Sequence, residues 1–267
     1  MRLVAVVILA GSVTAGFAQC QLPAPVAAAV AAMPSRLTGF ARYRTEALTY
    51  LDFRCFEEAE AALRRASESG GAKWFPAMRE FVSARIAWNQ GRLAEAKAAF
   101  DRLADESYPQ DVNFRAALAL AELLNQHPDH ALWERFRPRL ELLANDFGHW
   151  RARHYLYTYN LTEATAGARV QELKRMLDRE LPVRLRMEGL FILGDVLYRS
   201  KRTLEAMLLT TSVEEEFGDS VVDVELRAAF LRLCAAIWSA RARDGDPEAA
   251  ARAQTYLGAV QQAYDPR

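Results

Sequence analysis

The chain contains none of the short patterns that carry common enzyme chemistry. In 267 residues there is no His-Glu-x-x-His zinc site, no Gly-x-Ser-x-Gly elbow, no P-loop and no glycine-rich phosphate cradle. The motif grounds for a zinc protease, a serine hydrolase or a nucleotide enzyme are therefore missing, and no metal or cofactor is expected. Histidine is scarce. His127 and His130 lie in "NQHPDHAL", read as an exposed loop between helices. His149 and His154 are five residues apart and do not share a face as an i, i+4 pair would. The three cysteines form no Cys-x-x-Cys, which removes a zinc ribbon or a redox dithiol motif. Excess charge is also missing. Lys plus Arg and Asp plus Glu both number 34, so there is no electrostatic footprint for nucleic acid or an anionic membrane. Lysine itself is nearly absent, at Lys73, Lys97, Lys174 and Lys201, with arginine supplying the other basic residues. That bias, with abundant alanine, fits a GC-rich bacterial genome.

No apolar run is long enough to span a bilayer in the mature chain. The stretch from Leu3 to Ala18 falls short of the about 20 residues a span needs. Arg2, the apolar run Leu3–Leu9 and the small residues after it follow the order of a secretory signal. Gly16 and Ala18 place cleavage after Ala18, so residues 1–18 are read as a signal peptide and the chain as exported to the periplasm. Cys20 offers an alternative, an acylated lipoprotein of the outer membrane. Phe17 and Gln19 occupy the places where a lipobox has an aliphatic and a small residue. If Cys20 is not acylated, export makes a Cys20–Cys55 disulfide the expected pairing, with Cys55 at the turn of a first helical hairpin. Cys234, in "AAFLRLCAAIW", reads as a small core residue.

What is present is a repeat. Large residues followed by Pro or Gly occur at Phe75–Pro76, Tyr108–Pro109, Phe147–Gly148, Leu181–Pro182 and Phe217–Gly218, in steps of 33, 39, 34 and 36. A period in the thirties signals an array of helical hairpins. Pro or Gly after the large residue is expected to stop each helix, and Ser220 with Asp223 has capping-box spacing. The segments "RCFEEAEAAL", "GRLAEAKAAF" and "KRTLEAMLLT" align on Glu58–Ala59, Glu95–Ala96 and Glu205–Ala206, with the alanines 37 and 110 residues apart. A small residue there lets two helices approach closely while Phe56, Leu63, Leu93 and Phe100 fill the groove.

At these residues the chain resembles the tetratricopeptide-repeat family. Leu193–Gly194, Leu197–Tyr198, Ala206 and Phe217–Gly218 match its signature, and Ala77 to Pro109 matches well in its second helix, with Ala84 in place of the family's first-helix glycine. The expected fold is all-α: a right-handed superhelix of about six hairpins. A short helix at 23–33 lies within the segment 19–35, and the repeat domain spans 36–267. Its hairpins fall near 36–70, 76–107, 111–147, 149–181, 183–217 and 221–264, with Asp129 and Asp246 as N-caps of second helices.

In that family the first helices line a concave, ligand-binding groove. The resemblance implies a groove formed by Arg44, Leu48 and Leu51, by Phe81, Arg85, Trp88 and Asn89, and by Phe191, Asp195, Tyr198 and Arg199. Each of these is weighed equally between groove and core. Of Tyr155, Tyr157 and Tyr159, alternate residues on one helix, at least one is expected to be buried. The aromatic–Pro/Gly termini look like those of exported periplasmic members of the family. That implies a non-catalytic scaffold of the cell envelope binding a protein or peptide. The alternatives are a helical accessory domain for peptidoglycan metabolism and an enzyme with an acid pair across the groove. Acid-rich stretches such as Glu214–Glu216 otherwise read as solvated faces.

Intact-mass measurement of the exported protein tests the export reading. A chain beginning at Gln19 is expected, whereas a diacylglycerol adduct on Cys20 would establish the lipoprotein.

Overall fold

Helix-forming sequence fills nearly the whole chain. The computed structural model describes Cys20, Leu22 and residues 24–36, 39–53, 55–69, 74–217 and 223–263. The expected signal segment, residues 1–18, lies outside them, as do Gly218 and Ser220. Among the described residues there are thirteen helices and no strand. They are α1 (Ala24–Arg36), α2 (Gly39–Asp52), α3 (Phe56–Glu68), α4 (Trp74–Asn89), α5 (Leu93–Leu103), α6 (Gln110–Gln126) and α7 (His130–Asn145). Then follow α8 (Trp150–Thr158), α9 (Glu163–Leu177), α10 (Val183–Arg199), α11 (Thr203–Phe217), α12 (Val224–Arg243) and α13 (Ala249–Ala263). The fold class is all-α.

The described residues divide into two compact units. The first holds Cys20, Leu22 and the described residues of 29–116; the second holds 24–28 and the described residues from 117 onward, so that α1 and α6 each contribute to both. In the first unit α2 packs on α3, α3 on α4 and α4 on α5. On α3 the buried residues Ala59, Ala62, Leu63 and Ala66 recur at i, i+3, i+4 and i+7, one apolar stripe along the helix. Phe81 of α4 meets Phe100 of α5 with ring centroids 5.6 Å apart. Cys20 and Cys55 are joined by a disulfide that brings the amino-terminal segment to the start of α3.

In the second unit α10 is the hub, packed against α8, α9, α11 and α12, while α7 packs on α8 and α12 on α13. Gly194 explains part of that closeness: a Cβ there would stand 3.2 Å from Leu233 Cδ2 of α12 and 3.6 Å from Thr210 Cγ2 of α11. Cys234 is fully buried in the same core, and burial pushes its thiol up.

Turn chemistry sets several helix limits. Asp129 caps α7 by accepting from Leu132 N at 3.1 Å, and Asp246 accepts from Glu248 N and Ala249 N ahead of α13. Gly148, with φ +61°, takes the left-handed conformation after α7. Three expectations need correction. Phe75–Pro76 does not end a helix. It sits in the first turn of α4, where a proline's missing N–H has no intrahelical partner to lose. Asp223 is not the third residue of a capping box but the N-cap itself, its carboxylate accepting from Glu225 N and Leu226 N at 3.1 Å. The first helix also runs on through Pro34 to Arg36 rather than stopping near 33.

Ala59, Ala96 and Ala206, the aligned alanines of the repeat, are all fully buried. Ala96→Leu should therefore destabilise the protein by about 1–3 kcal/mol through overpacking. Ala98→Leu, on the exposed side of the same helix, should stay within about 0.5 kcal/mol of wild type. Urea denaturation of both variants checks this, and equal midpoints would remove the close-approach role of the repeat alanine.

Candidate functional site

The residues placed on first helices fall into three groups. Arg44 of α2 donates through Nη2 to Asp111 Oδ2 at 2.6 Å and lies 5.7 Å over the Trp74 ring. Trp74 Nε1 donates to the same Asp111 oxygen at 2.7 Å. Burial alone pushes the Asp111 carboxyl up, but the bonds from Arg44 and Trp74 hold it below the usual carboxylate range. Arg44 thus ties α2, α4 and α6 together. Leu48 is half-buried and Leu51 buried, so this face of α2 belongs largely to the packing.

Along α4 the four residues separate. Phe81 is buried against Phe100 and leaves no open ring for a partner. Trp88 is half-buried, its ring nearly perpendicular to that of Phe100 with centroids 6.2 Å apart, while the Arg85 guanidinium lies 4.8 Å from the Trp88 ring centroid. Asn89, the last residue of the helix, is exposed. The accessible part is therefore an arginine–tryptophan stack beside an open amide.

On α10, Phe191 and Asp195 are core residues. Phe191 packs edge-on against Trp150 at 5.5 Å and near His154 at 5.3 Å. Asp195 Oδ2 lies 2.7 Å from His154 Nε2 and accepts from Arg199 Nε at 2.7 Å. An ionised carboxylate can only accept, so Nε2 carries the proton of that bond. Burial raises the Asp195 carboxyl, and the bonds from His154 and Arg199 more than offset it, leaving it below the usual range. Tyr198 is half-buried, its hydroxyl donating to Ala236 O of α12 at 3.3 Å, and Arg199 is exposed. Tyr198 and Arg199 are the part of this group that a partner can reach.

Sequence reasoning set His154 aside and missed Glu188. The polar chain continues from His154: its carbonyl accepts from Thr158 Oγ1 at 2.9 Å, and Thr158 Oγ1 accepts from Asn125 Nδ2 at 3.1 Å. Glu188, almost wholly buried, receives Arg153 and, at 3.2 Å, Arg184 Nε. Arg184 Nη2 also reaches Asp223 Oδ2 at 3.3 Å, and Arg153 Nη2 reaches Ala144 O at 2.8 Å. Burial pushes the Glu188 carboxyl up despite both arginines. The i, i+4 spacing of Arg184 and Glu188 was the available signal; the distant Arg153 had none. His149, the N-cap of α8, is held below the ordinary imidazole value by burial and then by Arg151. Of the three tyrosines, Tyr159 is buried and stacked on Trp133 at 3.8 Å, while Tyr157 donates to Glu172 at 3.0 Å and is pushed up to about 12 by burial. His127 and His130 are exposed. Glu214 accepts from Tyr256 and Glu216 from Arg186, so only Glu215 of that run is a plain solvated charge.

The depressed carboxyl of Asp195 carries a pH signature. Its stabilisation is complete above the unfolded aspartate value of about 3.9 and is lost as pH falls through the lower folded value. Asp195→Asn should cost about 1–3 kcal/mol at pH 7, the scale of hydrogen bonds to a charged group. It should also flatten the decline in stability between pH 4 and pH 2, a range set by that aspartate value of about 3.9. Denaturation curves across that range decide it; an unchanged slope would remove Asp195 from the acid response.

No family model, curated protein or solved structure matches this chain.

Proposed function

We propose that the chain is an exported, non-catalytic interaction scaffold of the bacterial cell envelope. Its helix pairs form a right-handed tetratricopeptide-like superhelix of about six hairpins, whose first helices hold a segment of a partner protein. The observation that supports this is the pairing of reachable residues at two helix ends. Trp88–Asn89 closes α4 and Tyr198–Arg199 closes α10, each a half-buried aromatic beside an exposed polar residue. The two aromatics are 110 residues apart, the same separation as Ala96 and Ala206, so they occupy equivalent places in the repeat. Half-buried aromatics beside Arg or Asn suit an extended peptide: the ring supplies apolar area and the neighbour bonds its backbone. Export rests on the amino-terminal signal pattern, and the family resemblance on the repeat motifs.

Photo-cross-linking in native envelopes tests the reading. A benzophenone amino acid at Asn89 or Arg199 should capture a discrete protein, and one at Ala98 should not. Arg85→Ala should weaken binding by about 1–3 kcal/mol if the stack is a hot spot. Trp88→Ala should lose both affinity and some stability, because its ring also packs on Phe100. Equal capture at Ala98, or glycan rather than protein at Asn89 and Arg199, would replace this reading with non-specific contact or with a peptidoglycan accessory role. Turnover of muropeptides by the purified protein would establish an enzyme instead.

A further inference from the structure

We propose that the exposed face of α11 is an interface between two copies of this chain, paired antiparallel along that helix. Leu204 and Leu208 are 57% and 61% exposed and lie one turn apart on the same side of α11. The opposite side is already committed: Ala206, Thr210 and Val213 are buried where α11 packs on α10 and α12. The two leucines thus form a short apolar seam facing away from the core, and covering it removes apolar area from water.

Charge selects what covers it. Around the seam Arg202 is taken by Glu205, Glu214 by Tyr256 and Glu216 by Arg186. Two exposed charges are left at opposite ends, Lys201 in the turn before α11 and Glu215 in its last turn. Glu215 falls on the leucine side, eleven residues and close to three turns after Leu204. Lys201 approaches Glu163 only to 3.8 Å, with the two side chains 86% and 80% exposed, so water screens that attraction. The order of these two charges also opposes the helix dipole, which favours acid at the start and base at the end. A second α11 laid antiparallel across the leucines brings each Lys201 to the Glu215 end of the other copy. A parallel copy would instead set lysine against lysine and glutamate against glutamate. This face shares no residue with the partner-binding pairs at the ends of α4 and α10, so neither reading depends on the other.

Sedimentation equilibrium of the full chain, its disulfide left intact, tests the pairing. The mass should rise with concentration from one chain to two. A face one helix wide covers less than the about 800 Å² per partner of a standard interface, so half-dissociation is expected between about 1 µM and about 1 mM. Leu208→Glu should weaken the dimer at least about tenfold, because both copies lose the leucine from the seam. Lys201→Glu and Glu215→Lys should each weaken it at least about threefold, since each change turns two ion pairs into repulsions. Combining Lys201→Glu with Glu215→Lys in one chain should restore it. All three positions are exposed, so the variants should keep the wild-type circular dichroism. A chain that stays monomeric throughout would overturn the assignment and leave the leucines to a different protein. A dimer indifferent to Leu208→Glu would lie on another face, and a combined variant no tighter than the single ones would exclude the antiparallel pairing; either result overturns the assignment too.

Discussion

A helical stretch with no exposed face cannot leave a charge unpaired, and the middle of α10 is such a stretch. Every residue from Met187 to Leu197 is buried, including Glu188 and Asp195. An ionised carboxylate taken out of water is costly unless cations and hydrogen-bond donors meet it. Much of the second unit's polar structure answers that demand. Arg153 and His154 reach in from α8, Arg184 and Arg199 fold back along α10, and Arg184 carries the connection on to the N-cap of α12. These bonds join α10 to α8 and to the N-cap of α12. Burial raises both of these carboxyls, but the outcome differs: the donors to Asp195 outweigh it and hold that group down, while Glu188 stays raised despite its two arginines.

Arginine suits this architecture better than lysine. A planar guanidinium presents several donors at once and can join groups from different elements. Arg153 bonds both Glu188 and Ala144 O. Arg169 donates through Nη1 to Tyr157 O and Tyr159 O at 2.6 and 2.8 Å, satisfying carbonyls at the end of α8 that the helix itself leaves open. In the first unit Arg44 combines an ion pair with Asp111 and a ring contact with Trp74. A lysine ammonium, a compact point charge, lacks that fork.

Local physics made the helices readable. The apolar period placed two helices in each expected hairpin segment, Asp129 announced the start of α7, and the aligned alanines at 59, 96 and 206 are indeed buried. The candidate site was less legible, because a resemblance assigns a face without saying what lies across from it. Phe81 and Phe191, weighed equally between groove and core, are buried against rings from other helices. For Phe191 a warning was present: "GLFILGDVL" is apolar almost all round, the mark of a buried helix rather than an amphipathic one. His154 and Asp195 are 41 residues apart, and no periodicity within either helix could pair them. Phe75–Pro76 matched the spacing of helix ends yet opens a helix, since proline is tolerated in a first turn for the same reason that it terminates an interior.

The bridge from Cys20 to Cys55 has a topological consequence. It turns α1 and α2 into part of a closed ring of backbone. A single peptide cut anywhere between the two cysteines would open that ring without dividing the molecule. The product would be a branched polypeptide, one water heavier, with a new amino terminus and a new carboxyl terminus on pieces still joined through sulfur. In an environment rich in proteases, the amino-terminal segment would therefore survive a nick as an attached limb, and would leave only when the sulfur link itself was broken.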